Sequence, residues 1–181
     1  MAIWDRIKEQ AKGLQQPSGT GGAAGAGHGR PSGGGSRAQM VSVLKSQLGA
    51  LKAELKSGAY RDASMAMCAL VAAADGHVDA AERQHVESMI LNNEVLQNFP
   101  PEQLRERFNR HVNQLMSDFA TGRSEALQAL AKVAKNQTEA RAVIQTGIVV
   151  AGADGHFSQA EASVIREACT ALGVSPAEFG L

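Results

Sequence analysis

Apolar residues recur along most of this chain at spacings of three and four, which places them on one face of a helix. Two stripes are the clearest, Val41-Leu44-Leu48-Leu51-Leu55 and, after a Pro100-Pro101 break, Leu104-Phe108-Val112-Leu115-Met116-Phe119. Shorter stripes follow near 127–133 and 143–149. No segment alternates apolar and polar residues as a half-buried strand does. The pattern therefore predicts an all-α fold, a compact helical bundle.

The N-terminal part of the chain departs from this pattern. Residues 17–37 hold nine of the 19 glycines and two of the five prolines, and they cannot bury enough apolar surface to offset the entropy of ordering. Ahead of them, one apolar face is formed by Ile3, Ile7, Ala11 and Leu14, with Trp4 beside it. We therefore predict an amphipathic head helix over 1–16, a flexible Gly/Ser/Pro linker over 17–37 and a helical domain over 38–181.

A short motif occurs twice in the domain. Residues 74–82 read ADGHVDAAE and residues 153–161 read ADGHFSQAE, with six of nine positions identical at an offset of 79. An uncharged apolar run of twelve residues leads into each copy. We predict two pseudo-symmetric helix-turn-helix repeats, about 60–92 and 139–172, packed about a pseudo-twofold axis.

The acidic residues of the two turns are candidate metal ligands. They are Asp75, Asp79 and Glu82 in the first copy, and Asp154 and Glu161 in the second. Clustered carboxylates are hard oxygen ligands, which favours Ca²⁺ or Mg²⁺ over Zn²⁺. The EF-hand loop does not fit, because the twelfth position counted from Asp75 is Val86 rather than a carboxylate. His77 and His156 are secondary candidates that could add imidazole ligands.

A purely structural interpretation explains the same residues. Asp79 and Ser158 stand where helix N-caps are expected, and Glu82 and Glu161, three residues on, complete capping boxes. Asp75 and Asp154 fit Asx-type turns. Both interpretations stay open at the level of sequence.

Charge and cysteine content exclude several classes of protein. Lys+Arg and Asp+Glu both number 18, so no basic footprint points to nucleic acid. Charge is uneven along the chain, with five basic and two acidic residues in 1–37 but ten and fifteen in 60–181. Cys68 and Cys169 each lie in an apolar stretch, which favours buried, reduced thiols over a disulfide or a zinc site.

We find no catalytic motif, so we expect neither an enzyme nor an organic cofactor. Arg105, Arg107 and Arg110 are typical of a solvated helix face. Ser175-Pro-Ala-Glu178 predicts a capping box that opens a last short turn.

The twelve-residue apolar runs are shorter than the ~20 residues that a membrane span needs. Without a secretory signal pattern, we expect a cytoplasmic protein.

The two Ala-Asp-Gly-His turns, the closing sequence from Ala168 to Leu181 and the opening Ile3-Trp-Asp-Arg-Ile-Lys8 together resemble the tellurite resistance protein TerB family. The resemblance covers about residues 60–181 and, more loosely, the head. It implies a non-enzymatic helical bundle that acts on the cytoplasmic face with an integral membrane partner, TerC, in complexes linked to metal sensing. It also implies divalent-cation ligands at Asp75, Glu82, Asp154 and Glu161. Asp79 has Ser158 as its counterpart in the second copy.

Two hypotheses about function follow. The first is a component of a tellurite and stress resistance system, an adaptor that responds to a divalent cation and works with a membrane partner of the TerC type. In this hypothesis residues 1–16 could touch the inner face of the cell membrane, with Trp4 at the interface and the cations near anionic lipid. The alternative is a metal-independent interaction scaffold whose acidic turns are only helix caps.

Overall fold

The computed structural model describes residues 34–152 and 158–181, which fold into α-helices and two 3-10 segments without a strand among them. The predicted all-α class is confirmed. The α-helices in chain order are α1 Gly34–Ala50, α2 Gly58–Ala72, α3 Ala80–Asn92, α4 Pro101–Ser117, α5 Phe119–Ala131, α6 Gln137–Ala151 and α7 Gln159–Leu172, and the 3-10 segments are Leu96–Asn98 and Pro176–Phe179. None of the described helices combines the length and hydropathy needed to cross a bilayer.

The N-terminal boundaries differ from those expected. The head helix predicted over 1–16 lies outside the described residues, as does most of the predicted linker. α1 begins at Gly34, inside the segment assigned to the linker, and it ends at Ala50 although the apolar stripe runs on to Leu55. Leu55 is still fully buried, because hydrogen-bonded turns after α1 carry it into the core.

α2 and α6 form the centre of the bundle and pack against each other. Ten of the 15 residues of each helix are buried, as expected of helices that are apolar on most sides. Their small side chains allow a close approach, and a Cβ added at Gly147 of α6 would lie 2.7 Å from the Cγ of Met67 of α2. α4 and α5 pack on α2, and α1 packs on α6.

The helix bounds recur at the offset of the sequence repeat. α6 begins and ends 79 residues after α2, and α7 begins 79 residues after α3. The N-caps correspond as well, with Ser57 ahead of α2 and Asn136 ahead of α6. The two pseudo-symmetric helix-turn-helix repeats stay a prediction.

The end of the chain departs from the predicted capping box. Ser175 makes no side-chain cap to the 3-10 helix Pro176–Phe179. The carboxylate of Glu178 instead binds Arg141 of α6, with 2.9 Å between Arg141 Nε and Glu178 Oε2. A contact between distant segments thus replaces the local one.

A close contact between α4 and α5 yields a stability prediction. A Cβ on Gly122 of α5 would lie 2.6 Å from the backbone nitrogen of Leu115 in α4. We expect Gly122→Ala to lower the free energy of unfolding by about 1–3 kcal/mol, because the two backbones must separate. Urea denaturation of the purified chain measures the change.

Gly49→Ala in α1 is the matched control. Its added Cβ would meet only the Glu94 carboxylate at 3.5 Å, an ordinary contact. Helix propensity then raises the free energy of unfolding by up to about 1 kcal/mol. An equal gain in both variants would contradict the close approach of α4 and α5.

Candidate functional site

The first acidic turn joins α2 to α3 and is stabilised by its own side chains. The Oδ1 of Asp75 accepts a hydrogen bond from the backbone N–H of His77 at 3.0 Å, which is an Asx turn. Gly76 between them has φ +87°, in the region that glycine adopts without a steric cost. Asp75 and His77 are exposed, whereas Val78 is buried and attaches the turn to the core.

A capping box follows this turn and another starts α7. Asp79 Oδ1 accepts from the N–H of Glu82 at 2.8 Å, and Glu82 Oε2 accepts from the N–H of Asp79 at 3.0 Å. At α7 the Oγ of Ser158 accepts from the N–H of Glu161 at 3.1 Å, and Glu161 Oε2 accepts from the N–H of Ser158 at 2.6 Å. Both boxes satisfy backbone donors that a helix start leaves unpaired.

Four of the five predicted ligands therefore have a structural role. Asp75 forms the Asx turn, while Asp79, Glu82 and Glu161 form the two capping boxes. Asp154 lies outside the described residues, as does His156. Across 34–152 and 158–181, no three His, Cys, Asp or Glu side chains are placed to hold a metal together. Taken alone, the described carboxylates do not make up a cation site, and a site that includes Asp154 stays a prediction.

A cluster that the local pattern did not indicate joins α2 to α4. Asp62 accepts from Arg61 Nε at 3.0 Å and from Arg107 Nε at 2.6 Å, and Arg61 Nη1 donates to Gln103 Oε1 at 2.9 Å. Burial raises the pKa of Asp62, but hydrogen bonds and charge from the two guanidinium groups outweigh it and bring the pKa below its ordinary value. The prediction that Arg107 lies on a solvated helix face is therefore wrong, because its guanidinium group binds Asp62, which lies 45 residues earlier in the chain.

His111 lies on α4 near this cluster and is 5% exposed. Its Nδ1 has no hydrogen-bond partner among the described residues. Burial lowers the pKa of His111. The positive charges of Arg110 and Lys132 lower this pKa further, whereas the negative charge of Asp62 raises it. The buried ring is therefore neutral at neutral pH.

Both cysteines and the tyrosine Tyr60 are fully buried. Burial raises the pKa of Cys68 to about 12 and that of Cys169 to about 11, and both side chains are 0% exposed. Burial also raises the pKa of Tyr60 to about 12, and its hydroxyl lies 2.9 Å from the Oγ1 of Thr146. The thiols are protonated at neutral pH, and a thiol reacts slowly in that form.

These features define an all-helical bundle with a capped acidic turn ahead of α3 and a capped start at α7. The family model for tellurite resistance protein TerB matches residues 61–181, so the chain belongs to the TerB family. Membership relates the chain to tellurite resistance. No curated protein and no solved structure matches it significantly.

The second capping box suggests a substitution that separates capping from charge. Ser158 does for α7 what Asp79 does for α3, so we expect Asp79→Ser to keep the cap and remove the carboxylate. Asp79→Ala removes both, and we expect it to lower the free energy of unfolding by about 1 kcal/mol, against a few tenths for Asp79→Ser. Chemical denaturation at low and high salt distinguishes the two variants. Equal losses in both would assign the effect to charge rather than to capping.

Proposed function

We propose that this chain is a non-enzymatic adaptor of a tellurite resistance system, a helical bundle that works by binding other proteins. Family membership supports the link to tellurite resistance. The resemblance to the family suggests the partner, an integral membrane protein of the TerC type, and a location on the cytoplasmic face. No bound organic cofactor is part of this proposal.

The observation that carries the proposal is that the acidic side chains of both motif copies accept hydrogen bonds that cap helices. Asp79, Glu82 and Glu161 accept backbone hydrogen bonds at the starts of α3 and α7. These carboxylates are accounted for by folding, which favours the metal-independent form of the adaptor. The buried, protonated thiols of Cys68 and Cys169 support a binding role over redox chemistry.

A cation-responsive adaptor is the second candidate. In the first turn and its capping box, one oxygen of each carboxylate accepts a backbone hydrogen bond. These oxygens are Oδ1 of Asp75, Oδ1 of Asp79 and Oε2 of Glu82. These three carboxylates are exposed and lie within eight residues of one another along the chain. Oxygen ligands of this kind favour Ca²⁺ or Mg²⁺ over Zn²⁺.

Co-flotation tests the adaptor role. The full chain is mixed with liposomes that contain a purified TerC-type protein and, in parallel, with protein-free liposomes of the same anionic composition. We expect the chain to float with the proteoliposomes and to remain behind with the protein-free ones, since the proposal assigns recognition to protein contacts. Failure to float with either would contradict an adaptor at the membrane face.

A chain lacking residues 1–16 is the companion variant. Trp4 is the only tryptophan, so the tryptophan fluorescence of the full chain reports on the head alone. If protein-free anionic liposomes bind the full chain, shift its fluorescence and fail to bind the shortened chain, the head attaches to lipid and the partner assignment is wrong. Equal flotation of both chains with proteoliposomes places recognition in the bundle.

Thermal melting separates the two forms of the adaptor. The chelator-stripped chain is melted across titrations of Ca²⁺, Mg²⁺ and Zn²⁺, because an ion that binds the native state must raise the Tm. The metal-independent form predicts no saturable rise with any ion. The cation-responsive form predicts a rise that is lost in the Asp75→Asn/Asp154→Asn variant and reduced in Asp79→Ser, which keeps its cap.

A further inference from the structure

Hydrogen bonds and an ion pair connect α3 to α4. Arg83 Nη1 donates to Asn113 Oδ1 at 2.8 Å and to Asn109 Oδ1 at 3.4 Å. Glu87 accepts from Arg105 Nε at 2.9 Å and from Asn109 Nδ2 at 3.5 Å. We call these five residues the polar ladder.

The spacing of the ladder shows that it is one continuous interface. Its two residues on α3 are four apart and its three on α4 are four apart, so each set lies on one helix face. Glu87 and Arg105 remain in contact with water, with side chains 23% and 54% exposed. Ion pairs of that exposure add little net stability and are weakened by salt.

The apolar side of α3 is only partly enclosed. Ile90 is its one fully buried residue, while Val86, Met89 and Leu91 are half-buried against the core. The corresponding helix of the second unit, α7, buries four side chains, namely Ile165, Ala168, Cys169 and Leu172. At the same position in the repeat, α7 thus buries four side chains fully, whereas α3 buries one fully and adds the polar ladder.

The ends of α3 differ in how firmly they are fixed. At its N-terminal side Val78 is the single buried anchor, and it follows an exposed turn with Gly76 at positive φ. At its C-terminal side the buried Oδ1 of Asn93 accepts from the N–H groups of Val95 and Leu96, and Leu96 is fully buried. A motion of α3 would therefore keep its C-terminal end in place.

We propose that α3 is a displaceable helix, which separates from α4 as a unit while the rest of the bundle stays folded. Separation breaks the polar ladder and uncovers Val86, Met89, Ile90 and Leu91, of which only Ile90 is fully buried. A helix with one fully buried side chain opens at a lower free energy than the whole domain.

Native-state hydrogen exchange of the full chain, followed amide by amide by NMR, tests this. We expect the amides from Val86 to Leu91 to exchange at least about tenfold faster than those from Ile165 to Leu172, because their opening does not require global unfolding. Raising NaCl from 0.1 to 1 M reduces the screening length from about 10 to about 3 Å. We expect that change, and separately Glu87→Gln, to speed exchange in α3 by a further two- to fivefold or so, relative to α7.

Arg123→Gln is the matched control, since it removes an exposed ion pair between α5 and Glu167 of α7. We expect no change in the exchange of α7, which its buried side chains hold in place. Two results overturn the proposal. One is exchange of α3 and α7 through a single common opening. The other is faster exchange in α3 that neither salt nor Glu87→Gln alters, since the ladder would then not hold the helix.

Discussion

The contact between α2 and α6 is the interaction on which the rest of the domain depends. Met67 lies over Gly147, where a Cβ would be 2.7 Å away from its Cγ, so the two helices approach as closely as the missing side chain allows. The buried hydrogen bond between Tyr60 and Thr146 adds direction to that contact, because an unpaired hydroxyl in this core would be costly. The described helices on either side pack around this pair, α4 and α5 on α2 and α1 on α6.

Reciprocal capping hydrogen bonds define the starts of α3 and α7. In the first unit, Asp75 accepts a backbone bond within the turn and Asp79 with Glu82 starts α3. In the second, Ser158 with Glu161 starts α7 with the same reciprocal pair. A hydroxyl and a carboxylate do the same work because an N-cap needs only an acceptor oxygen. Both copies of the motif can therefore start a helix in the same way, although only the first carries a charge at the N-cap position.

The two units use that shared design differently. α7 is an integral part of the core, with Ile165 and Leu172 fully enclosed, whereas α3 offers polar side chains to α4. Family membership relates the chain to tellurite resistance, and the chemistry of a site, rather than the fold, must supply the details.

Sequence by itself determined the all-α class and the capping boxes that start α3 and α7. Spacings of three and four, the offset of 79 residues and the Asp79/Glu82 and Ser158/Glu161 pairs are local, so they could be found without knowing what packs on what. Tertiary structure decided the partners. Asp62 binds Arg107 of α4, and Glu178 binds Arg141 rather than capping its own turn. Such pairs join residues tens of positions apart, and no local pattern encodes them, because a charged side chain takes whichever partner the packing of helices brings near.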